Sequence, residues 1–351
     1  MNQVILFDIK KFTELLRGKK LLLVCGASFD RLEIRDEILS LNPVRFSGFS
    51  PNPKYEECCA GLKVYLEEGC EAILAVGGGS SMDTAKCIKM FSDKDHTKNY
   101  LEQEFSDTGL LLAAIPTTAG TGSESTRHSV IYYKGEKQSV SHPSLVPDYT
   151  CLIPSLLGGL PLYQKKCTML DALCQAMESF WSVHSTEESR EYSRLAIELI
   201  KENYSDYVKE DPASYEAIMV ASNLAGQAIN ITATTAPHAM SYKLTTLYGL
   251  PHGHSVALAL PGIWEFIKNN TDLCYDERGK DYLEKMLTEL PITEEEYGKI
   301  MTDLEMFCPV SDNREKDLDT LVASVNLSRL KNNPVVPDEA VLRRVYEGIV
   351  K

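Results

Sequence analysis

Residues 71–86 read EAILAVGGGSSMDTAK, and this stretch decides the class of fold. A short run of Ala, Ile, Leu and Val ends abruptly in Gly77-Gly78-Gly79-Ser80, and Met82-Asp83-Thr84-Ala85-Lys86 then opens a helix. A strand, a glycine turn and a helix in that order form the repeating unit of a parallel α/β sheet. Three consecutive glycines carry a backbone-entropy penalty that a plain loop avoids. Bare amides at a helix N-terminus, cradling a pyrophosphate, would explain them. An ordinary tight turn uses the same residues, and no GxGxxG fingerprint is present, so the glycines alone leave both readings open.

Outward from this stretch the same pattern repeats. Residues 20–25 (KLLLVC) form an expected buried strand, followed by the small-residue turn Gly26-Ala27-Ser28. A shorter strand is expected at 44–48 (VRFSG), a break at SPNP and an amphipathic helix at 54–69. LLLAAIP is a further strand and runs into Thr117-Thr118-Ala119-Gly120-Thr121-Gly122-Ser123-Glu124. Hydroxyls and free amides in that loop suit a cofactor better than a core. The candidate cofactor contacts are therefore Gly26, Ser28, Gly77, Gly78, Gly79, Ser80, Asp83, Thr117, Thr118, Thr121 and Ser123. VIYYKGEKQSV reads as a hairpin turning at Lys134-Gly135-Glu136.

Beyond Leu156 the periodicity becomes helical, over 161–182, 186–208, 212–230, 237–247, 253–268, 278–290, 293–307 and 337–350. The composition shift in PDYTCLIPS marks the expected boundary. An α/β dinucleotide-binding domain over 1–153 is followed by an all-α domain over 154–351, which is expected to close over it.

Composition narrows the partners. The chain has 351 residues, 44% hydrophobic and 25% charged, with a net charge of −14. An acidic surface repels phosphate backbones, so nucleic acid is excluded as a partner. The ten cysteines form no CxxC pair and mostly lie in apolar segments, where thiols act as small hydrophobes. No apolar h-region stands at the start and no apolar run is long enough to cross a bilayer. A reduced, cytoplasmic protein with no membrane contact is expected.

The helical half holds the chemistry. Asp171 and Gln175 are four apart in LDALCQAMESFWS, so they share one face of a helix. That face is largely apolar, and a buried carboxylate needs a partner. His238 follows Pro237 and His252 follows Pro251, each suited to the first turn of a helix. Either histidine alone reads best as a satisfied core residue. As a set, Asp171, Gln175, His238 and His252 read as ligands of one divalent ion, Fe²⁺ or Zn²⁺, with a position left for substrate.

Together GGGSSMDTAK, PTTAGTGSE, DALCQAMES, HAMSY and PHGHSVALALP resemble the iron-containing (group III) alcohol dehydrogenase family. The resemblance spans most of the chain and implies the fold shared with glycerol dehydrogenase and dehydroquinate synthase. It implies a dinucleotide domain, a helical metal domain and hydride exchange between substrate and nicotinamide. The metal ligands of the family fall on Asp171, His238 and His252. Its ligand one turn after the Asp is normally histidine and here is Gln175, either a fourth ligand or a neighbour hydrogen-bonded just outside the set. A further histidine of the family is replaced by Tyr242, which becomes the candidate proton donor, with His254 competing. A phenol with a pKa of roughly 10 can donate only if a nearby cation or metal lowers that value.

The segments DALCQAMESFWSVHST and INITATTAPHAMSYKLT look most like the phosphonoacetaldehyde reductase subgroup. That resemblance implies a small anionic aldehyde as substrate, with Arg127 and Lys243 as candidate cationic contacts. NADPH is favoured over NADH, because Gly26-Ala27-Ser28 stands where an acidic ribose contact is typical. Asp30 is the nearest acid. Generic alcohol dehydrogenase activity, a carbocycle-forming lyase and a metal-free binding protein are the competing functions. The oligomeric state is open, with a homodimer as the candidate.

Overall fold

A computed structural model describes residues 3–351. The chain divides into two compact units, Met1–Gly159 and Leu160–Lys351. The expected change after residue 153 falls six residues earlier than that division.

The first unit runs β1 (Val4–Leu6), α1 (Ile9–Leu16), β2 (Leu21–Cys25), α2 (Arg35–Leu39), β3 (Val44–Phe46), α3 (Tyr55–Glu67), β4 (Ala72–Gly77), α4 (Gly79–Phe91) and β5 (Leu111–Pro116). The hairpin β6 (His128–Tyr133) and β7 (Glu136–Ser141) and the short β8 (Tyr149–Cys151) complete it. Six strands form one parallel sheet in the order β1-β8-β5-β4-β2-β3. The strands are continuously apolar because helices cover both faces. Leu22, Val24, Ile73 and Ala75 pack with Leu62, Ile88 and Phe91 on one side. Leu21, Leu23, Leu74 and Val76 pack with Phe12, Leu16 and Ile38 on the other.

Two strands escape the sequence pattern. β1 and β8 are three residues each, too short for an alternation to show. β8 lies inside PDYTCLIPS, the segment expected to separate domains, and pairs with both β5 and β1. The β6–β7 hairpin turns through Lys134 and Gly135, both at positive φ (52° and 82°), as a two-residue turn requires.

Strand order sets where a ligand can sit. The chain leaves β2 for β3 at one edge, then returns across β2 to β4 and continues to β5 in the opposite direction. The order reverses between β2 and β4, and ligands of open α/β sheets bind at the carboxyl ends beside such a point. Register brings three loops together there. Cys25 pairs with Val76 and Gly77 with Pro116, so Gly26, Gly77 and Thr117 leave neighbouring strands side by side.

The second unit is helical: α5 (Leu162–Trp181), α6 (Glu187–Val208), α7 (Tyr215–Thr232), α8 (Ala236–Tyr248), α9 (His252–Asn269), α10 (Gly279–Glu289), α11 (Glu294–Asp303), α12 (Arg314–Ala323) and α13 (Glu339–Ile349). α12 was not expected, since only Leu318 and Leu321 of its ten residues are buried and its apolar stripe is thin. No described helix is long and apolar enough to cross a membrane.

Candidate metal centre

α5 is almost wholly buried over its second half, yet Asp171, Gln175 and Glu178 lie in that part. Positions i, i+4 and i+7 share one face of a helix, and α8 and α9 bring histidines to it. The connection between them is built to turn sharply. Gly249 ends α8 in the left-handed region (φ 68°), and Pro251 starts α9 directly before His252. His238 Nε2 faces Asp171 Oδ1 at 3.4 Å, and His252 Nε2 faces the same oxygen at 3.8 Å. One ligand atom from each of Asp171, His238 and His252 falls within 4.8 Å of the others.

Close approach of α9 to α5 depends on Gly253. A Cβ there would stand 2.0 Å from the Cys167 carbonyl oxygen and 2.8 Å from the Asp171 Cβ. Only glycine lets the helices touch at this point, and that contact carries His252 to Asp171.

Glu178, one turn beyond Gln175 on α5, carries no mark in the sequence pattern. Its Oε1 takes a hydrogen bond from His238 Nδ1. Its Oε2 accepts from the Thr235 amide at 2.6 Å and the Thr235 hydroxyl at 2.9 Å. A carboxylate holding Nδ1–H leaves the Nε2 lone pair directed at the cluster, the usual support for a metal-binding imidazole. Burial would lower the His238 pKa, but the Glu178 and Asp171 carboxylates outweigh it and raise it to about 9. His252 Nδ1 lies 3.3 Å from the Ser241 hydroxyl, again on the side away from Asp171. Gln175 points its amide at Asp171 Oδ2, with Nε2 3.3 Å away. The donor set of one carboxylate and two braced imidazoles fits a divalent transition metal.

In the first unit the three loops interlock. Gly77 has φ +149°, and a Cβ there would meet Ser81 Oγ at 2.2 Å. A Cβ at Gly78 or Gly79 would press on Thr118 or Thr121 at 3.2 Å. Thr117 donates its amide to the Gly77 carbonyl at 3.0 Å. Gly78 gives α4 no side-chain cap, so the helix presents its N-terminus bare. Ser80 is tied at its hydroxyl by the Asn52 amide (3.2 Å), while Gly26 and Ser28 are accessible at the end of β2.

Lys86 on α4 is likewise unmarked by the sequence pattern. Fully buried, it donates to the carbonyls of Ser123 (2.6 Å), Thr126 (2.7 Å) and His128 (2.8 Å), pinning the Thr/Ser/Gly loop to α4. Burial lowers the Lys86 pKa and raises that of Asp83 to about 6. Asp83 accepts a hydrogen bond from the Val130 backbone, toward the β6–β7 hairpin.

A model of the iron-containing alcohol dehydrogenases matches residues 5–154, and the C-terminal model of the same family matches residues 166–326. The NADH-dependent butanol dehydrogenase B of Clostridium acetobutylicum is 30% identical over 75% of this chain and 70% of its own. The chain belongs to the iron-containing alcohol dehydrogenase family.

Members of this family similar to the chain include the probable alcohol dehydrogenase EutG of Escherichia coli, 35% identical over 62% of this chain and 57% of its own. The phosphonoacetaldehyde reductase of Streptomyces viridochromogenes is 32% identical over 63% of this chain and 59% of its own. The matches thus span less than two thirds of the length of these two curated relatives. The crystal structure of sulfoacetaldehyde reductase from Bifidobacterium kashiwanohense in complex with NAD⁺ superposes with a TM-score of 0.85 at 25% identity, covering 99% of this chain and 97% of the other.

Of the two expected proton donors, His254 needs correction. His254 lies outside the cluster and is fully buried. Its Nδ1 is 2.7 Å from the Tyr163 hydroxyl and its Nε2 2.9 Å from the Phe307 carbonyl, so both ring nitrogens are engaged. Two residues along a helix is a rotation of about 200°, which turns His254 away from the side carrying His252. Tyr242 does stand at the cluster, its ring stacked on His252 at 5.8 Å and 7°. Burial raises its pKa, and Arg329, which pulls the other way, does not overcome that. Lys243 lies on α8 beside Tyr242 and is partly buried; Arg127 follows the Thr/Ser/Gly loop in the first unit and is also partly buried. Asp30, the acid nearest the end of β2, is held by Arg45 through two hydrogen bonds of 2.7 and 3.0 Å.

Proposed function

We propose that this protein is a metal-dependent NAD(P)H aldehyde reductase acting on a short aldehyde that carries an oxyanion, with phosphonoacetaldehyde as the leading substrate. The observation that carries the metal assignment is the convergence of Asp171, His238 and His252 within 4.8 Å, with Glu178 holding the far nitrogen of His238. A bound divalent ion, Fe²⁺ or Zn²⁺, would supply Lewis-acid polarisation of the carbonyl oxygen. Asp171, His238 and His252 would hold it, with Gln175 bracing Asp171 or joining as a fourth ligand.

The reaction transfers hydride from C4 of the dihydronicotinamide to the carbonyl carbon. The cofactor is oxidised, the aldehyde becomes an alcohol, and a proton must reach its oxygen. Tyr242 is the proposed donor. Its raised pKa keeps the phenol protonated at neutral pH, and the Arg329 hydrogen bond stabilises the phenolate left after transfer. Gly77, Gly78 and Gly79 with the bare start of α4 take the pyrophosphate, and Thr117, Thr118, Thr121 and Ser123 line its approach. NADPH is used at least as well as NADH, because the Arg45 guanidinium offsets the charge of Asp30.

The similarity to phosphonoacetaldehyde reductase and the resemblance to sulfoacetaldehyde reductase support an anionic aldehyde. Metal analysis of the isolated protein, with an NADPH and NADH oxidation screen over phosphonoacetaldehyde, sulfoacetaldehyde and butanal, tests the reading. Stoichiometric metal and turnover of an anionic aldehyde are expected. Metal-free protein, or turnover confined to neutral aldehydes, would overturn it. A large kcat/KM preference for NADH would overturn the cofactor assignment alone.

A further inference from the structure

We propose that Arg329 is the residue that selects an anionic substrate at this site, recognising the tetrahedral oxyanion of a two-carbon aldehyde. The inference rests on the aldehyde-reductase reading and names the group that gives it specificity. Arg329 lies in a short 3₁₀ segment, Leu327–Asn332, that the sequence periodicity does not mark. Its Nη1 donates to the Tyr242 hydroxyl at 2.9 Å, and its Cζ stands 5.3 Å from the Tyr242 ring centre. Tyr242 in turn stacks on His252, so a fixed positive charge stands one aromatic ring away from the metal cluster.

Three observations favour a substrate role over a purely structural one. First, among the described residues no carboxylate lies within 4.0 Å of the Arg329 guanidinium, whereas Arg45, Arg278 and Arg343 each sit on carboxylates. The guanidinium therefore keeps its positive charge uncompensated by a carboxylate, one aromatic ring away from His252. Second, its hydrogen bond to the Tyr242 hydroxyl uses one of the five N–H donors of a guanidinium, leaving a planar fork that matches a phosphonate or sulfonate. Third, the segment is anchored around the site. Asn332 donates to the Thr234 carbonyl at 3.1 Å and accepts from the Val183 amide at 3.1 Å, next to the Thr235 that caps Glu178. Arg329 is thus held on the same framework as the ligands. Lys243, the other cation of this region, adjoins Tyr242 in sequence and so projects about 100° away around α8.

Phosphonoacetaldehyde and sulfoacetaldehyde share the chemistry this fork reads. The experiment compares kcat/KM for both with that for butanal, in the metal-loaded wild type and in Arg329→Gln and Arg329→Lys. The anionic-to-neutral ratio should fall roughly ten- to hundredfold in Arg329→Gln for whichever anion is the substrate, with partial recovery in Arg329→Lys. An unchanged ratio overturns the proposal, because a residue that merely positions Tyr242 would depress all three substrates alike. Calorimetric binding of ethylphosphonate and ethanesulfonate, which cannot react, gives a readout free of catalysis. At least one should bind the wild type and bind Arg329→Gln at least tenfold more weakly; equal binding, or no binding to the wild type, overturns it. A wild type that binds the anions but reduces only butanal refutes the proposed function and leaves the Arg329 anion site standing.

Discussion

His238 and His252 reach Asp171 from two helices, and a different device places each. His238 is aimed by the Glu178 carboxylate at its far nitrogen, His252 by the close contact of α9 with α5. His252→Ala should abolish metal retention, measured by elemental analysis after gel filtration; a variant with full occupancy would remove His252 from the ligand set. Glu178→Gln should weaken metal affinity roughly 10–100-fold by loosening the orientation of His238, read by competition with a chelator. At the proton-transfer position, Tyr242→Phe should lower kcat by roughly 10²-fold with little change in aldehyde KM. Steady-state kinetics decides this, and a KM effect without a kcat effect would make Tyr242 a binding residue only.

At the scale of elements, α5 organises the second unit and is secured at both its middle and its end. Gly253 sets the crossing with α9, so Gly253→Ala must push the helices apart against the Cys167 carbonyl. A loss of about 1–3 kcal/mol is expected from such overpacking, visible as a lower Tm together with lower metal content. The C-terminal end is held by Arg278, which donates to the carbonyls of Ser182 (3.2 Å) and Val183 (2.8 Å) and stacks 4.0 Å from the Tyr282 ring. Asp276 pairs with Arg278. Burial pushes the Asp276 pKa up, but the Arg278 hydrogen bonds more than offset it and hold the carboxyl below its usual range. A depressed folded-state pKa means that the unfolded chain binds the extra proton first, so this stability is present above about pH 4 and is lost as pH falls through the folded value. Denaturant titrations between pH 3 and 6 should show a shallower acid loss in Asp276→Asn than in wild type. Equal slopes would remove Asp276 from the acid transition.

At the scale of the whole molecule, the sequence by itself determined the class of each unit. Apolar runs ending in Gly26-Ala27-Ser28, Gly77-Gly78-Gly79-Ser80 and the Thr117–Glu124 loop mark strand ends, because strand propensity, turn chemistry and helix opening are all local properties. Helical periodicity over the second unit is equally local, and so is the shared face of Asp171 and Gln175. Those patterns, with the family resemblance they carry, made Asp171, His238 and His252 legible before any coordinates. Tertiary structure alone decided the rest. β1 and β8 are too short to show a period and exist because the sheet pairs them, β8 between β5 and the edge strand β1. Glu178 and Lys86 read as ordinary helix charges until packing buried them against Thr235 and the Thr/Ser/Gly loop. His254 and His252 look equivalent in PHGHS, yet the rotation of α9 sends one to the cluster and the other to Tyr163 and Phe307. Arg329 is 87 residues from Tyr242, and no sequence period links positions that far apart. Contacts across such separations depend on how whole helices pack, which no window of neighbouring residues encodes.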